Sequence, residues 1–577
     1  MNDWKKRSVS FSSLIIAIAL ALSSCSGGSS APTASSGSTS AATTAQSAAQ
    51  EPAAAIEDGG ILNDLGVLPL VKEPVSVRYM LPVSSNIEDY ETNHYTALLE
   101  EKSGVDLQIE FLPAVDWIQK LSVMTASGEK LPDLMSVPYL SDLQVYTFGS
   151  QGFFLPLNDY IENSSYYLKQ AIEEHELEGL MNNFVMADGN IYTLPLYNPE
   201  LGNEWDHRAW INKTWLETLG LSMPKTTDDF YNVLKAFKEK DPNGNGAADE
   251  IPFIGYINGW CGQPQDFILN AFVYKNDAQN YLLAESDGGV SMGAAKDEWR
   301  EGLEYINKLY SEGLISPLSF TQDRAQLQQV IENEDAQITG GLTNGSMSIY
   351  QTDSLRKQDM THIPPLTGPK GVSWSSRTYQ GGNHMVVVTK DVANPELCFR
   401  ILDLMCDAEL SVNSRFGEFE KDWIWATEED KGKGLYEDMG IPATIHVINN
   451  HWGQPQNAEW GDQNAAIRPY KYGIGGMTWG GDPYDSQYMT AQAVPDYIGK
   501  APDKIVLKLI YTPEESDSIN EIATTLKTFI DESTVRFITG DMPFSEWDNY
   551  VKELDNIGLQ AYLETAQKAY GRYTNVQ

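Results

Sequence analysis

Val75-Ser76-Val77-Arg78-Tyr79 alternates side chains in the manner of a strand, residues 90 to 102 carry a helical pattern, and Leu107-Gln108-Ile109-Glu110-Phe111 alternates again. A period of two, then 3.6, then two predicts strand, helix and strand, the unit from which parallel sheets are built. A helix around Trp117 to Thr125 and an apolar stretch after Pro132-Asp133 continue the alternation. The layout is α/β. Helical patterns dominate the middle and the end of the chain, where Trp547, Tyr550, Val551, Leu554 and Ile557 fall at helical spacing before Gly558. That stripe reads as core, with the glycine as a helix stop. No internal repeat is present.

The chain has 577 residues, enough for more than one core, so a two-lobed molecule is expected. Lys plus Arg number 40 and Asp plus Glu 80, giving a net charge of −40. Phosphate backbones would repel such a chain, which argues against nucleic-acid binding. With 14 Trp and 29 Tyr there are rings to spare for binding surfaces.

Lys5, Lys6 and Arg7 precede the apolar run Leu14 to Leu22, too short to span a bilayer but suited to a signal peptide. Leu22-Ser23-Ser24-Cys25 resembles the lipobox of bacterial lipoproteins, which makes residues 1–24 the leader and Cys25 the lipidated first mature residue. In residues 26–55, 25 of 30 are Ser, Gly, Ala or Thr, so nothing there can pack. Residues 25–72 read as an anchored flexible linker, and a coil of that composition reaches on the order of 30 Å.

Three further cysteines remain. Asn394-Pro395-Glu396 reads as a helix start, which places Cys398 and Cys406 on one helix about 12 Å apart, beyond disulfide reach. They read as buried apolar residues, and a long-range bridge from Cys261 to either stays open. His175, between Glu174 and Glu176, reads as a solvated helix residue.

Thr226 with Asp229 three residues on starts an amphipathic helix through Phe230, Val233, Leu234 and Phe237, and Asp241-Pro242 should stop it. The following Asp241-Pro242-Asn243-Gly244-Asn245-Gly246-Ala247-Ala248-Asp249-Glu250 puts side-chain oxygens at positions 1, 3, 5 and 9 and Gly at 6. Ca²⁺ takes six to eight hard oxygen ligands, and this spacing is that of an EF-hand-type loop, with Ala247 offering its carbonyl. Position 12 is Pro252 in place of the usual Glu, and Glu250 can supply the missing carboxylate. The role expected of the ion is structural.

The lipobox, Gly128-Glu129-Lys130-Leu131-Pro132-Asp133-Leu134, Gly152-Phe153-Phe154-Leu155-Pro156-Leu157-Asn158-Asp159, Asp188-Gly189-Asn190-Ile191-Tyr192-Thr193-Leu194-Pro195 and Trp210-Ile211-Asn212-Lys213-Thr214-Trp215-Leu216 occur in one order along the chain. Together they resemble the landmarks of family 1 extracellular solute-binding proteins, in the branch containing lipoproteins of Gram-positive soil bacteria and the alginate-binding proteins. The resemblance covers essentially the whole mature chain. It implies the periplasmic-binding-protein type II fold, two α/β lobes joined by a hinge that close over a sugar and present it to an ABC permease. On that analogy, residues 73–207 begin lobe 1, residues 208–377 begin lobe 2, and residues 378–577 return to lobe 1 and then to lobe 2. It also implies Asp241, Asn243, Asn245, Ala247, Asp249 and Glu250 as calcium ligands, a monomer, and a place outside the membrane of a Gram-positive cell.

A sugar cleft needs aromatic platforms rimmed by polar groups. Trp205, Trp260, Trp374 and Trp479 stand in polar, loop-like contexts and are the candidate platforms, with Tyr139 and Arg377 beside them. Trp423 and Trp425 read as core. The expected ligand is an oligosaccharide, and no catalytic residue is assigned. A secreted calcium-containing glycoside hydrolase is the rival reading, needing two carboxylates about 5–10 Å apart. A surface carbohydrate-adhesion lipoprotein is a third. No phosphate-loop Lys-Ser/Thr, Gly-x-Ser-x-Gly or His-Glu-x-x-His motif occurs.

Overall fold

Val75–Pro82 and Val105–Leu112 are parallel strands, paired from Val75 opposite Val105 to Pro82 opposite Leu112. The crossover between them is the helix His94–Ser103. In this computed structural model, which describes residues 60–576 apart from 85, 114–116, 139, 258, 334–335, 352, 450 and 452–454, that unit seeds a six-stranded sheet. The helix expected from residue 90 begins at His94 instead. Asn93 caps it by accepting from the Tyr95 N–H at 2.9 Å, while the Asp89 carboxylate holds the Glu91 N–H in a turn just before. Gly104, at φ 74°, then turns the chain straight into the second strand.

The sheet order is Ala466–Ile467, Leu194–Tyr197, Asn383–Val388, Leu134–Ser136, Val75–Pro82 and Val105–Leu112. Asn383–Val388 runs antiparallel to both neighbours, while the other pairs are parallel. A second sheet has Ala209–Asn212 at its centre, antiparallel to Gly341–Thr343 and to Met360–Ile363. Each sheet has its own core. Leu81, Leu99, Leu134, Val386 and Leu402 belong to one, and Trp210, Phe230, Phe237, Leu342, Phe537 and Leu554 to the other. Two cores on two sheets make two α/β lobes, the periplasmic-binding-protein architecture.

The chain runs in the first sheet to Tyr197, in the second from Ala209 to Ile363, and in the first again from Asn383 to Ile467. It ends in helices that pack on the second lobe. The Tyr497 hydroxyl donates to the Ile363 carbonyl, and Asn307 Nδ2 donates to the Ile538 carbonyl at 2.9 Å. Three segments therefore cross between the lobes, at 197–209, 363–383 and 467–486. A side chain crosses as well. The backbone at Val506 and Leu507 accepts from Asn276 and Gln279 of the second lobe, yet the intervening chain sends Lys508 Nζ to Asp142 Oδ1 at 2.9 Å and the Asn183 carbonyl at 2.5 Å in the first. Asp142 also holds His384 Nε2 at 2.7 Å.

The helix Thr227–Glu239 carries the expected capping box of Thr226 and Asp229, and Phe230, Val233, Leu234 and Phe237 are its buried stripe. Two expectations are corrected and one open alternative is closed. The helix begun by Asn394 ends at Leu404, so Cys406 lies beyond it, although Cys398 and Cys406 are both buried. Cys261, Cys398 and Cys406 are free thiols, so no bridge from Cys261 forms. His175 is not solvated: its side chain is 2% exposed, edge-on to Tyr472 at 5.0 Å, and burial lowers its pKa. Trp423 is fully buried, with Trp425 half-buried against it at 4.9 Å. Among the described residues no helix is long and apolar enough to cross a membrane. The leader, Cys25 and the Ser/Ala/Thr-rich part of the linker lie outside the described residues, as does Tyr139.

Candidate functional site

Glu204 ends a one-turn helix in the first crossing segment and is buried. Its carboxylate accepts from Arg377 Nε at 2.5 Å and from the Tyr470 hydroxyl at 2.7 Å, and its carbonyl accepts from the Thr378 N–H at 2.8 Å. Arg377 and Thr378 belong to the second crossing and Tyr470 to the third, so one residue knots all three. Two residues on, Asp206 accepts from Thr378 Oγ1 at 3.2 Å, from His207 Nδ1 at 2.9 Å and from Trp260 Nε1 at 2.7 Å. Trp260 is thereby fixed to the hinge by its indole nitrogen while its ring stays 37% exposed.

That ring is one wall of a cavity of about 830 Å³ built from the second lobe alone. Tyr281 and Trp299 supply two more rings, and the far side is the helix Pro513–Thr539, through Lys527, Asp531, Glu532 and Arg536. Lys275, buried in the wall, contacts Asp277 and holds Asp266 at 2.9 Å. Burial alone would raise the Asp277 carboxyl, but Lys275 and His207 hold it well below the usual carboxylate range. Burial opposes charge on Lys275 too, and Asp266 and Asp277 keep it protonated. Lys527 is taken by Asp531 at 2.7 Å, which also accepts from the Tyr281 hydroxyl. Two buried polar atoms in the wall, Trp299 Nε1 and Gln265 Oε1, have no hydrogen-bond partner among the described residues. A buried unpaired donor and acceptor each cost on the order of 1–3 kcal/mol. Both residues line the cavity, but the two atoms themselves are shielded behind its surface.

The loop after Glu239 folds on its own side chains. Asn243 Oδ1 accepts from the Asn245 N–H, Asn245 Oδ1 from the Ala247 N–H, and Asp241 Oδ2 from the Gly246 N–H, at 2.7–3.1 Å. Gly244 and Gly246 have φ of 70° and 75°, which allows the double turn. The amide nitrogens of Asn243 and Asn245 converge on the Asp249 carboxylate. Glu250 Oε1 is buried without a partner, and burial, with the charges of Asp249 and Asp241, raises its pKa. The donor set of Asp241, Asp249 and Glu250 suits a hard cation, but their oxygens are not gathered around one point, and both Asn side chains present nitrogen to Asp249.

The model of the bacterial extracellular solute-binding protein family matches residues 85–409, more than half of the chain. This protein belongs to that family. The fructooligosaccharide ABC transporter substrate-binding protein FusA of Streptococcus pneumoniae is 29% identical over 525 residues, covering 88% of this chain and 92% of its own. Lipoprotein LipO of Bacillus subtilis is 27% identical over 387 residues, 63% of this chain and 72% of its own. The solved structure of FusA in complex with kestose superposes with a TM-score of 0.66 at 26% identity, covering 87% of this chain and all of its own, and an EF-hand mutant of FusA with fructo-nystose gives 0.64.

Within this solute-binding protein the aromatic candidates do not share one site. Trp260 lines the cavity. Trp205 is 5% exposed in the second-lobe core, with Arg377 5.9 Å over its ring. Trp374 borders a separate cavity of about 240 Å³, and Trp479 stacks on Tyr488 at 4.2 Å in a small satellite core. Sequence reasoning passed over Tyr281, Trp299, Gln265 and the face from Lys527 to Arg536. Nothing in the sequence around Trp299 or along the helix Pro513–Thr539 signals that a cavity interrupts the packing.

Proposed function

We propose that this solute-binding protein captures a neutral oligosaccharide outside the cell and passes it to an ABC permease when its lobes close. The observation that carries this is the cavity beside Trp260. It offers the exposed ring of Trp260 for a sugar face, polar side chains around it for hydroxyls, and a direct bond from Trp260 to hinge residue Asp206. Its charges lean towards a neutral sugar. Four carboxylates, Asp266, Asp277, Asp531 and Glu532, line it against Lys275, Lys527 and Arg536, and both lysines are already engaged by them, which leaves Arg536 to meet a uronide chain. FusA, named for fructooligosaccharides, fits the same class.

In this reading the chain binds and does not cleave. Asp241, Asn243, Asn245, the Ala247 carbonyl, Asp249 and Glu250 hold a structural Ca²⁺, in line with the EF-hand named in the FusA structure. Cys25 carries the lipid anchor, in line with the lipoprotein name of LipO. The body works as a tethered monomer on the outer face of a Gram-positive membrane, with lobe 1 at residues 73–207, lobe 2 at 208–377, and both revisited in 378–577.

The test is a thermal-shift and calorimetric screen of residues 56–577 in calcium. The panel comprises neutral fructan, glucan and mannan oligosaccharides and oligogalacturonates, and each mixture is assayed for new reducing ends. The expected result is a melting shift with a neutral oligosaccharide and no new reducing ends. New reducing ends overturn the reading in favour of a hydrolase, and a shift only with oligogalacturonates overturns the neutral-ligand assignment.

A further inference from the structure

Asp206, His207 and Cys261 place one metal-binding atom each within 4.8 Å of one another. His207 Nδ1 is 2.9 Å from Asp206 Oδ1 and 3.7 Å from Cys261 Sγ. Asp206 and His207 are buried, and Cys261 is partly so. The set differs in kind from the oxygen-rich loop at 241–250, since it joins a thiol, an imidazole and one carboxylate.

Two further features match a metal centre. His207 turns its other nitrogen, Nε2, to Asp277 Oδ2 at 2.7 Å, the carboxylate–histidine arrangement that orients a metal-bound imidazole. Asp206 spends its second oxygen on Trp260 Nε1 at 2.7 Å, which fixes the first. Cys261 is held at φ 52°, in the left-handed region that side chains other than Gly, Asn and Asp enter at a cost.

We propose that Asp206, His207 and Cys261 bind a thiophilic divalent transition ion of the zinc class. Metal–nitrogen and metal–sulfur bonds of about 2.0 and 2.3 Å separate tetrahedral donors by roughly 3.5 Å. The nitrogen–sulfur spacing already fits. The oxygen–nitrogen spacing widens by about half an ångström as the proton now shared there leaves. Metal binding displaces the Nδ1 proton of His207 and the thiol proton of Cys261, two protons for one divalent ion, with no change of oxidation state. Three protein ligands leave one tetrahedral position for water. The ion would sit in the first crossing segment, bound to the residue that anchors Trp260.

The probe is Co²⁺, added to the full folded protein after chelation and return to saturating calcium, which occupies the oxygen loop. One equivalent is expected to bind, with a near-ultraviolet thiolate-to-cobalt charge-transfer band. Calorimetry in two buffers of different ionisation heat should report two protons released at a pH where both are bound in the apo protein. Cys261→Ser should lose the band while keeping its circular dichroism. Asp277→Asn, which removes the carboxylate behind His207 and leaves Asp266 to hold Lys275, should weaken Co²⁺ binding roughly 10–100-fold. Absence of the band in folded wild type, its survival in Cys261→Ser, or binding without proton release would each overturn the assignment.

Discussion

Trp299 and Gln265 each carry a polar atom that the fold leaves unpaired. An indole N–H and an amide oxygen sit buried behind the cavity wall with no partner among the described residues. Trp299→Phe is therefore expected to melt within a degree or two of wild type or above it, because it removes an unsatisfied donor. Scanning calorimetry reads the effect, and a melting point several degrees lower would mean that the indole N–H is paired. Glu459 makes a pH statement. It is 6% exposed, and burial, with Asp462 adding to it, pushes its carboxyl up to about 7, while it accepts from Gln456 Nε2 at 2.7 Å. Between the unfolded value near 4.5 and 7 the native state holds more protons than the unfolded chain, so this group's stabilisation is complete below that window and is lost as pH rises through it. The loss is on the order of 3 kcal/mol. Comparing unfolding of Glu459→Gln and wild type from pH 4.5 to 8 should show the two curves converging at the acid end. Parallel curves would contradict the shift.

Among the elements, the loop 241–250 carries the proposed calcium site on its sequence spacing. An ion bound only to the folded state adds about 2.7 kcal/mol at a hundredfold excess over its Kd. Asp241→Ala and Glu250→Gln should both melt below wild type in calcium and level with it in chelator. Equal melting in both buffers would remove the ion from the account. The helix at Thr227–Glu239 and the strand–helix–strand start were legible because their signals are local: a cap, a stripe, an alternation. The strand Asn383–Val388 shows why the rest was not. Its place, antiparallel between Leu134–Ser136 and Leu194–Tyr197, is set by partners some 190 to 250 positions away, and nothing in its own residues names them. The same holds for the site. Trp260 was legible as a Trp in a polar loop, whereas Tyr281 becomes cavity wall only because the C-terminal helix passes opposite it.

At the scale of the whole molecule, two side chains tie the lobes together. Glu204 ties the three crossings together, and Lys508 pegs the second lobe into the first through Asp142 and the Asn183 carbonyl. Lys508→Met keeps the length of the side chain and removes the charge that spans the gap. Its sugar-free radius of gyration by small-angle scattering should exceed that of wild type, and the difference should disappear with saturating sugar. Identical values in both states would mean that the peg does not hold the lobes. The cavity, finally, draws every lining residue from one lobe, so it exists whether or not the lobes have met. With the sugar bound there as proposed, an order of events follows. Sugar can land first and the lobes swing afterwards, so in a rapid-mixing experiment following Trp260 fluorescence the observed rate should climb with sugar concentration and then level off at the speed of the swing itself.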